Sequence, residues 1–281
     1  MEYLSLDIEI FSQEQSDILM AMLEDYPFES FEQESDSLRA YIQQKEYDGC
    51  RADVEQLLAQ WGVKHFSTRI IEQQNWNSEW ESDFEPVEVT TVDGRAIMIR
   101  AEHYTPPEGD VIDVVVAPRM SFGTGHHITT ALMSQTIAEM DKTCDRALDM
   151  GCGTGVLAIV ALKSGRAKSV VAVDIDDWAC ESCRDSALLS GVAESIDVRC
   201  GSIDVVVSER VDAIFANINR NILLMMMTSF GEMLPRGGKL LMSGFLVEDV
   251  AIIRSAAERE GFAFVAQRER EGWAVVECVK C

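Results

Sequence analysis

The chain is short of positive charge. Its 281 residues hold 24 Lys and Arg against 48 Asp and Glu, a formal net charge of −24 at pH 7. A protein that grips nucleic acid does so through clustered Lys and Arg, so no direct nucleic-acid binding is expected. Long apolar runs are missing too: stretches such as Ile222 to Met227 fall far below the roughly 18 residues of a membrane span. The opening Met1-Glu2-Tyr3-Leu4 has neither the basic flank nor the apolar block of a secretion signal. A cytoplasmic protein without membrane contact is the expectation. There is no phosphate-loop Gly-Lys-Ser/Thr signature, no internal repeat and no low-complexity segment. Eight cysteines scattered through such a chain are expected as reduced thiols rather than as a disulfide framework.

The acidity is uneven. Residues 1–60 carry fifteen Asp or Glu against three Lys or Arg, so −12 of the net charge lies in about a fifth of the chain. Such a segment attracts a basic protein, although acidity alone is also common in proteins with no such partner. The length allows one large domain and a smaller one. Strand-like segments at Tyr3–Ile10, Phe28–Gln33, Leu38–Gln43 and His65–Ile71 alternate with helix-like Ser16–Glu24 and Asp53–Gln60. The order βαββαβ predicts a small α+β domain over residues 1–72. The polar, aromatic run from Asn75 to Glu81, with Trp76 and Trp80, reads as part of a linker over 73–85, leaving 86–281 for the larger domain.

That larger domain opens with short strands at Val87–Val92, Ala96–Ala101 and Asp110–Val116. Beyond Met120 strands and helices alternate. Strands are predicted at Arg146–Met150, Ser169–Asp174, Ile196–Cys200, Ala213–Asn217, Gly238–Gly244, Ala263–Arg268 and Trp273–Cys278. Helices are predicted at Thr129–Met140, Val156–Leu162, Asp177–Ser190, Asn221–Leu234 and Glu248–Glu260. This alternation predicts an α/β fold with a mostly parallel, seven-stranded sheet and helices on both faces. Ligands on such sheets sit at the carboxyl ends of the strands, where Gly151–Gly155, Asp174, Gly201-Ser202 and Asn217 all fall.

The densest motif is Asp149-Met150-Gly151-Cys152-Gly153-Thr154-Gly155, between a strand and a helix, with Asp174 nineteen residues beyond Gly155. Glycines at 151, 153 and 155 let backbone N–H groups approach a nucleoside, and an acid after the next strand takes its ribose hydroxyls. A dinucleotide fingerprint needs G-x-G-x-x-G; here the third glycine comes one residue early and Val156 fills its place. The spacing suits S-adenosylmethionine better than a nicotinamide cofactor. A plain strand-to-helix turn is the competing reading, and the placement of Asp174 counts against it.

Other constellations are weaker. Met120 to Thr130 holds two glycines, four hydroxyl residues and His126-His127, a polar loop able to close over the methionine end of the ligand. The competing reading is an ordinary helix-capping segment, with Thr129 or Thr130 as its N-cap. Two adjacent histidines with no spaced third ligand do not make a metal site, and no metal is expected. Asn217 ends a strand as an amide whose oxygen can accept from an amine and aim its lone pair. A turn-forming Asn is the alternative. The pairs Cys180/Cys183 and Cys278/Cys281 have zinc-like spacing. However, Cys180, Cys183, Ala187 and Leu188 recur as an apolar helix stripe facing the sheet, and the second pair sits at a terminus where order is doubtful. Ile222, Met226, Phe230 and Met233 likewise read as core.

Together these residues resemble one family. Phe122-Gly123-Thr124-Gly125 with His127 and Thr129-Thr130, the glycine loop, Val173-Asp174-Ile175-Asp176, Ala216-Asn217-Ile218 and Leu241 to Leu246 are similar to the PrmA-type methyltransferases, which act on the large-subunit ribosomal protein eleven. The resemblance runs from about Asn75 to Trp273. It implies a ferredoxin-like front domain that recognises the basic ribosomal protein, followed by a Rossmann-like class I methyltransferase domain. The implied reaction carries methyl groups from S-adenosylmethionine to lysine side chains and the terminal α-amine. It implies cofactor contacts from Phe122, Gly123, Thr124, Thr130, Gly151, Gly153, Gly155, Asp174, Ile175 and Asn217, with Asn217 as the catalytic residue, in a monomer. One departure is Ile128, where the family usually has proline. Two alternatives stay open: another amine or amide methyltransferase, against which Asn217-Ile218-Asn219 stands in place of Asn-Pro-Pro-Tyr, and a non-catalytic ribosomal adaptor.

Overall fold

The computed structural model describes residues 3–23, 26–33, 37–71, 85–117 and 125–281. It divides into two compact units, Met1–Trp76 and Asn77–Cys281. The expected linker 73–85, with Trp76 and Trp80, lies outside the described residues except for Glu85.

The first unit runs β1 (Tyr3–Glu9), α1 (Gln13–Leu23), β2 (Phe28–Gln33), β3 (Ser37–Gln43), α2 (Gln44–Gln60) and β4 (Phe66–Ile71). Its strands pair in the order β2-β3-β1-β4, all antiparallel, which is the ferredoxin-like topology. Alternation places Leu38, Ala40 and Ile42 inward with Leu6, Ile8, Leu19 and Leu58. Outward, Arg39 bridges Asp7 at 2.5 Å and Glu32 at 3.1 Å. Helix α2 starts at Gln44, well before the expected Asp53. The helix runs through Gly49, where burial of Tyr47, Val54, Leu57 and Leu58 along one face outweighs the roughly 1 kcal/mol that a mid-helix glycine costs.

The second unit begins with a three-stranded sheet of β5 (Val87–Thr90), β6 (Ala96–Ala101) and β7 (Val111–Val116). Next come α3 (Ile128–Ala138), β8 (Cys144–Met150), α4 (Val156–Lys163), β9 (Ala167–Asp174), α5 (Asp177–Leu189), β10 (Ile196–Cys200) and β11 (Ala213–Asn217). The unit ends with α6 (Arg220–Met233), β12 (Lys239–Leu246), α7 (Val250–Arg259), β13 (Phe262–Arg270) and β14 (Trp273–Lys280). The large sheet has seven strands in the order β10-β9-β8-β11-β12-β14-β13. It is parallel except at β14, which runs antiparallel to both neighbours. Strand order reverses between β8 and β11, the switch point where such sheets bind ligands.

Two apolar layers hold this sheet. One side packs α3 and α4, with Ile137, Ile159 and Val160 fully buried; the other packs α6 and α7, with Leu223, Phe230 and Ile253 fully buried. Helix α4 is apolar all round and buried from Val156 to Ala161, as expected of an element covered on every side. Helix α5 closes the exposed edge of β7 with hydroxyls. Ser182 donates to the Ala117 carbonyl at 2.7 Å, Ser186 accepts from Ala117 N–H at 2.9 Å, and Ser190 accepts from Val115 N–H at 2.9 Å.

Four expectations need correction. Leu188 is 70% exposed, so the α5 stripe ends at Ala187. Ile222 is exposed, because α6 turns that side toward solvent at its start. The carboxyl terminus is ordered: β14 hydrogen-bonds along β12 and β13, burying Cys278. Finally, Cys180 and Cys200 are joined as a disulfide. Twenty residues apart in sequence, they meet because β10 lies beside β9 at the start of α5, a neighbourhood that spacing alone does not reveal.

Candidate active site

Strand β8 is buried through Asp149 and Met150 and delivers the chain into the glycine loop at the switch point. Gly151, Gly153 and Gly155 have φ of +74°, +53° and +78°, a region that L residues with a Cβ avoid. A Cβ on Gly151 would also strike the Ile218 side chain. The loop is tied to β9: Gly151 and Cys152 N–H donate to the Val173 carbonyl at 2.8 and 3.0 Å. Gly155, left-handed, caps α4, and the helix's positive end faces the loop.

Asp174 ends β9 and meets this loop directly. One carboxylate oxygen accepts from Gly153 N–H at 2.9 Å, the other from Asp176 N–H at 3.1 Å. Each oxygen keeps a second lone-pair direction, so the carboxylate is oriented yet able to accept from hydroxyls. Gly201 N–H donates to the Asp174 carbonyl at 2.8 Å, fastening the end of β10 to the same point. The next residue, Ile175, is 79% exposed, an apolar side chain standing at the rim.

Asp149 lies beneath the loop and is wholly buried. Its Oδ2 accepts from Ala158 N–H at 3.1 Å, while Oδ1 has no hydrogen-bond partner among the described residues. Burial, first of all, pushes this carboxyl up to about 7, with the nearby Asp174 charge adding to the effect. Desolvation disfavours the charged form because a carboxylate in a low-dielectric site loses its water shell.

Across the switch point Asn217 closes β11. Its Nδ2 lies 3.5 Å from the Thr130 hydroxyl of α3, at the outer limit of a hydrogen bond. Two residues 87 apart in sequence thus share one spot on the rim. The expected N-cap at Thr129 or Thr130 is corrected: His127 caps α3, its Nδ1 accepting from Thr129 N–H at 3.3 Å. An imidazole nitrogen can accept there as a hydroxyl would, which frees both threonines to sit inside the helix, buried. Ile128 takes the first helical position, where proline is favoured but not required.

Phe122, Gly123 and Thr124 lie outside the described residues. The structure therefore gathers Thr130, Gly151, Gly153, Gly155, Asp174, Ile175 and Asn217 along one rim. It also adds two groups not singled out before as site residues. Trp273 stands edge-on to His127, with ring centroids 4.7 Å apart, and Gly244 (φ +91°) lets the Ile218 backbone press against β12. A Gly in a strand marks such close approach, so Gly244 was readable; Trp273 was not, since β14 comes back to the site from the chain's far end.

Among the described residues, no group of three His, Cys, Asp or Glu is placed to hold a metal ion, and no helix is long and apolar enough to cross a membrane.

The chain matches the family model of ribosomal protein L11 methyltransferase (PrmA) over residues 6–280. The ribosomal protein L11 methyltransferase of Porphyromonas gingivalis is 40% identical over 267 residues, covering 92% of this chain and 89% of that protein. The enzyme of the same name from Bacteroides fragilis is 36% identical over 270 residues, covering 94% of each. A crystal structure of ribosomal protein L11 methylase from Lactobacillus delbrueckii subsp. bulgaricus is similar at a TM-score of 0.60 and 28% identity, over 69% of this chain and 99% of that one. With the 3-2-1-4-5-7-6 strand order built here from β8–β14, the larger unit has the class I methyltransferase fold, and the chain belongs to the ribosomal protein L11 methyltransferase (PrmA) family.

Proposed function

We propose that this chain is a protein N-methyltransferase acting on ribosomal protein L11, transferring methyl groups from S-adenosylmethionine to lysine side chains and to the N-terminal α-amine. One observation carries the reading: Thr130 and Asn217 meet at 3.5 Å on the rim directly beside the Gly151–Ile218 contact, so the amide stands where a nucleoside in the glycine loop would present its reactive end.

The residues fit such a cofactor. Gly151 leaves a cradle that a Cβ would fill, and Asp149, two residues before it, keeps a buried oxygen with no hydrogen-bond partner among the described residues. Asp174, already oriented by Gly153 and Asp176 N–H, would accept the ribose hydroxyls, and Ile175 would lie against the base. Phe122, Gly123 and Thr124, with Thr130, would cover the methionine end. When bound, the cofactor supplies an electrophilic methyl group on a sulfonium. Asn217 then orients the acceptor: its carbonyl oxygen takes an N–H from the amine while its Nδ2 stays on Thr130, which turns the nitrogen lone pair inward.

Residues 1–72 are proposed as the recognition domain, 73–85 as a linker and 86–281 as the catalytic domain. Fifteen acids against three bases in residues 1–60 suit a basic ribosomal protein and disfavour direct contact with RNA. A cytoplasmic monomer is the proposed working form. The test is incubation with isotopically labelled S-adenosylmethionine and purified ribosomal proteins, then mass spectrometry. Label on L11 nitrogen is expected; label on another protein, on glutamine amides or on nothing refutes the reading.

A further inference from the structure

Next to the Asn217 turn lies a cavity of about 250 Å³ that the methyl-transfer reading does not use. It sits between the start of α6, the end of β12 and the first residue of β14. Phe245, Leu246 and Trp273 form an apolar side; Asn219, Arg220 and Asp249 form a polar one. Asn217 is not part of its wall. The cavity and the acceptor position are therefore neighbours: Gly244, which lines the cavity, packs against the backbone of Ile218, the residue after Asn217.

The polar side is held firmly. Asn219 caps α6 by accepting from Asn221 N–H at 2.9 Å, and Arg220 Nε donates to the Asn221 side-chain oxygen at 3.2 Å. Arg220 also pairs with Asp249 Oδ1 at 2.5 Å. The Asp249 side chain is only 18% exposed, and among the described residues its Oδ2 accepts no hydrogen bond. A carboxylate so placed is half satisfied: Arg220 holds one oxygen in place, and the other remains open to the cavity that Asp249 lines. The complement is a cation on a stem that can lie along Phe245, Leu246 and Trp273, the shape of a lysine or arginine side chain.

We propose that this cavity is a subsite for a second cationic side chain of the methylated protein, a Lys or Arg adjacent in space to the acceptor amine, with Asp249 as its ligand and Arg220 as the positioning residue. This rests on the methyl-transfer reading and extends it to substrate choice. A cation fixed there carries a consequence for the acceptor. A like charge nearby lowers an amine's pKa, so the occupied subsite favours the neutral acceptor that the reaction needs. Substrates with flanking basic residues are then both captured and activated.

The test is a double-mutant cycle. Wild type and Asp249→Asn are assayed on an acceptor peptide built with either an arginine beside its acceptor lysine or citrulline, an uncharged isostere, in that place. On wild type, citrulline should raise KM about tenfold; on D249N it should change KM less than twofold; D249E should recover most of the discrimination. The affinity for S-adenosylmethionine should be the same in all three proteins. Equal use of both peptides by wild type, or discrimination surviving in D249N, overturns the proposal. A second readout needs no turnover: Nα-acetylarginine amide, titrated into the S-adenosylhomocysteine complex, should shift the Trp273 indole N–H resonance in wild type and not in D249N. If no L11 nitrogen is methylated yet this shift appears, the subsite stands and the reaction reading falls; if L11 is methylated and Trp273 does not respond, the subsite falls alone.

Discussion

Replacing Asp149 by asparagine should make the ligand-free protein more stable at neutral pH and less able to bind its cofactor. The carboxyl is wholly buried and takes one hydrogen bond, from Ala158 N–H at 3.1 Å. Burial lifts it from 3.8 to about 7. Because the folded state holds this proton more tightly than the unfolded chain, the group's contribution is fully present below about pH 4. It is lost as pH rises through about 7. At 1.36 kcal/mol per pH unit, a lift of about three units is a penalty of up to about 4 kcal/mol above pH 7. Asparagine keeps an acceptor for Ala158 and never ionises. Urea unfolding of both proteins at pH 5 and pH 8 is the assay. The advantage of D149N should grow from pH 5 to pH 8 and then level off, with a melting temperature at pH 8 higher by as much as about 10 °C. Parallel stability-versus-pH curves, or a D149N less stable at pH 8, would refute the reasoning. Calorimetry on the same variant completes it: if Oδ1 meets a cationic part of S-adenosylmethionine, D149N should bind it at least tenfold more weakly.

Other perturbations separate binding from chemistry. Asp174→Ala removes the acceptor proposed for the ribose and the partner of Gly153 N–H; titration calorimetry should show S-adenosylmethionine affinity falling by about 10- to 100-fold. Asn217→Ala should lower kcat by about 100-fold or more with cofactor affinity within about threefold, read by single-turnover transfer to L11. Gly151→Ala puts a Cβ into Ile218 at a φ of +74° and should cost about 1–3 kcal/mol in denaturant unfolding, partly recovered by Ile218→Ala. His127→Ala removes the α3 cap at 3.3 Å, so about 1 kcal/mol of stability should go; loss of all turnover with cofactor binding intact would instead make His127 a base.

Legibility followed the range of the interactions. Strand β11 covers its apolar run Ala213–Ala216 and stops at Asn217, because a parallel strand buried on both faces must be apolar on both. The glycine loop and Asp174 were readable for a similar reason: local conformation demands those residue types, whatever lies around them. What escaped depends on neighbours far along the chain. Nothing near His127 marks it as a cap in preference to the two threonines that follow it. Only the return of Trp273 against its ring, with Thr130 buried against Asn217, makes that choice. Cys180 and Cys200 likewise meet through strand order, and α2 extends through Gly49 because its buried side is shared with β1 and β3.

The harder question is how a lysine reacts at all. At pH 7 an ordinary lysine is neutral about once in 2,500 molecules, an unfavourable step of roughly 4.6 kcal/mol, whereas an α-amine needs only about 1–1.4 kcal/mol. None of the nearby carboxylates lines the Asn217 position as a base. Asp174 is bound by two backbone N–H groups, Asp149 lies under the loop, and Asp249 is paired with Arg220. His127 uses Nδ1 for the α3 cap. The Asn217 amide offers an acceptor but no proton sink. Deprotonation must therefore come from the environment: desolvation against Ile218 and Trp273, the positive end of α6 just beyond Asn217, and a sulfonium charge facing the amine each favour the neutral form. Those same influences act on any primary amine brought to the rim, which is why one site can serve both a lysine side chain and a chain terminus without a separate base for each.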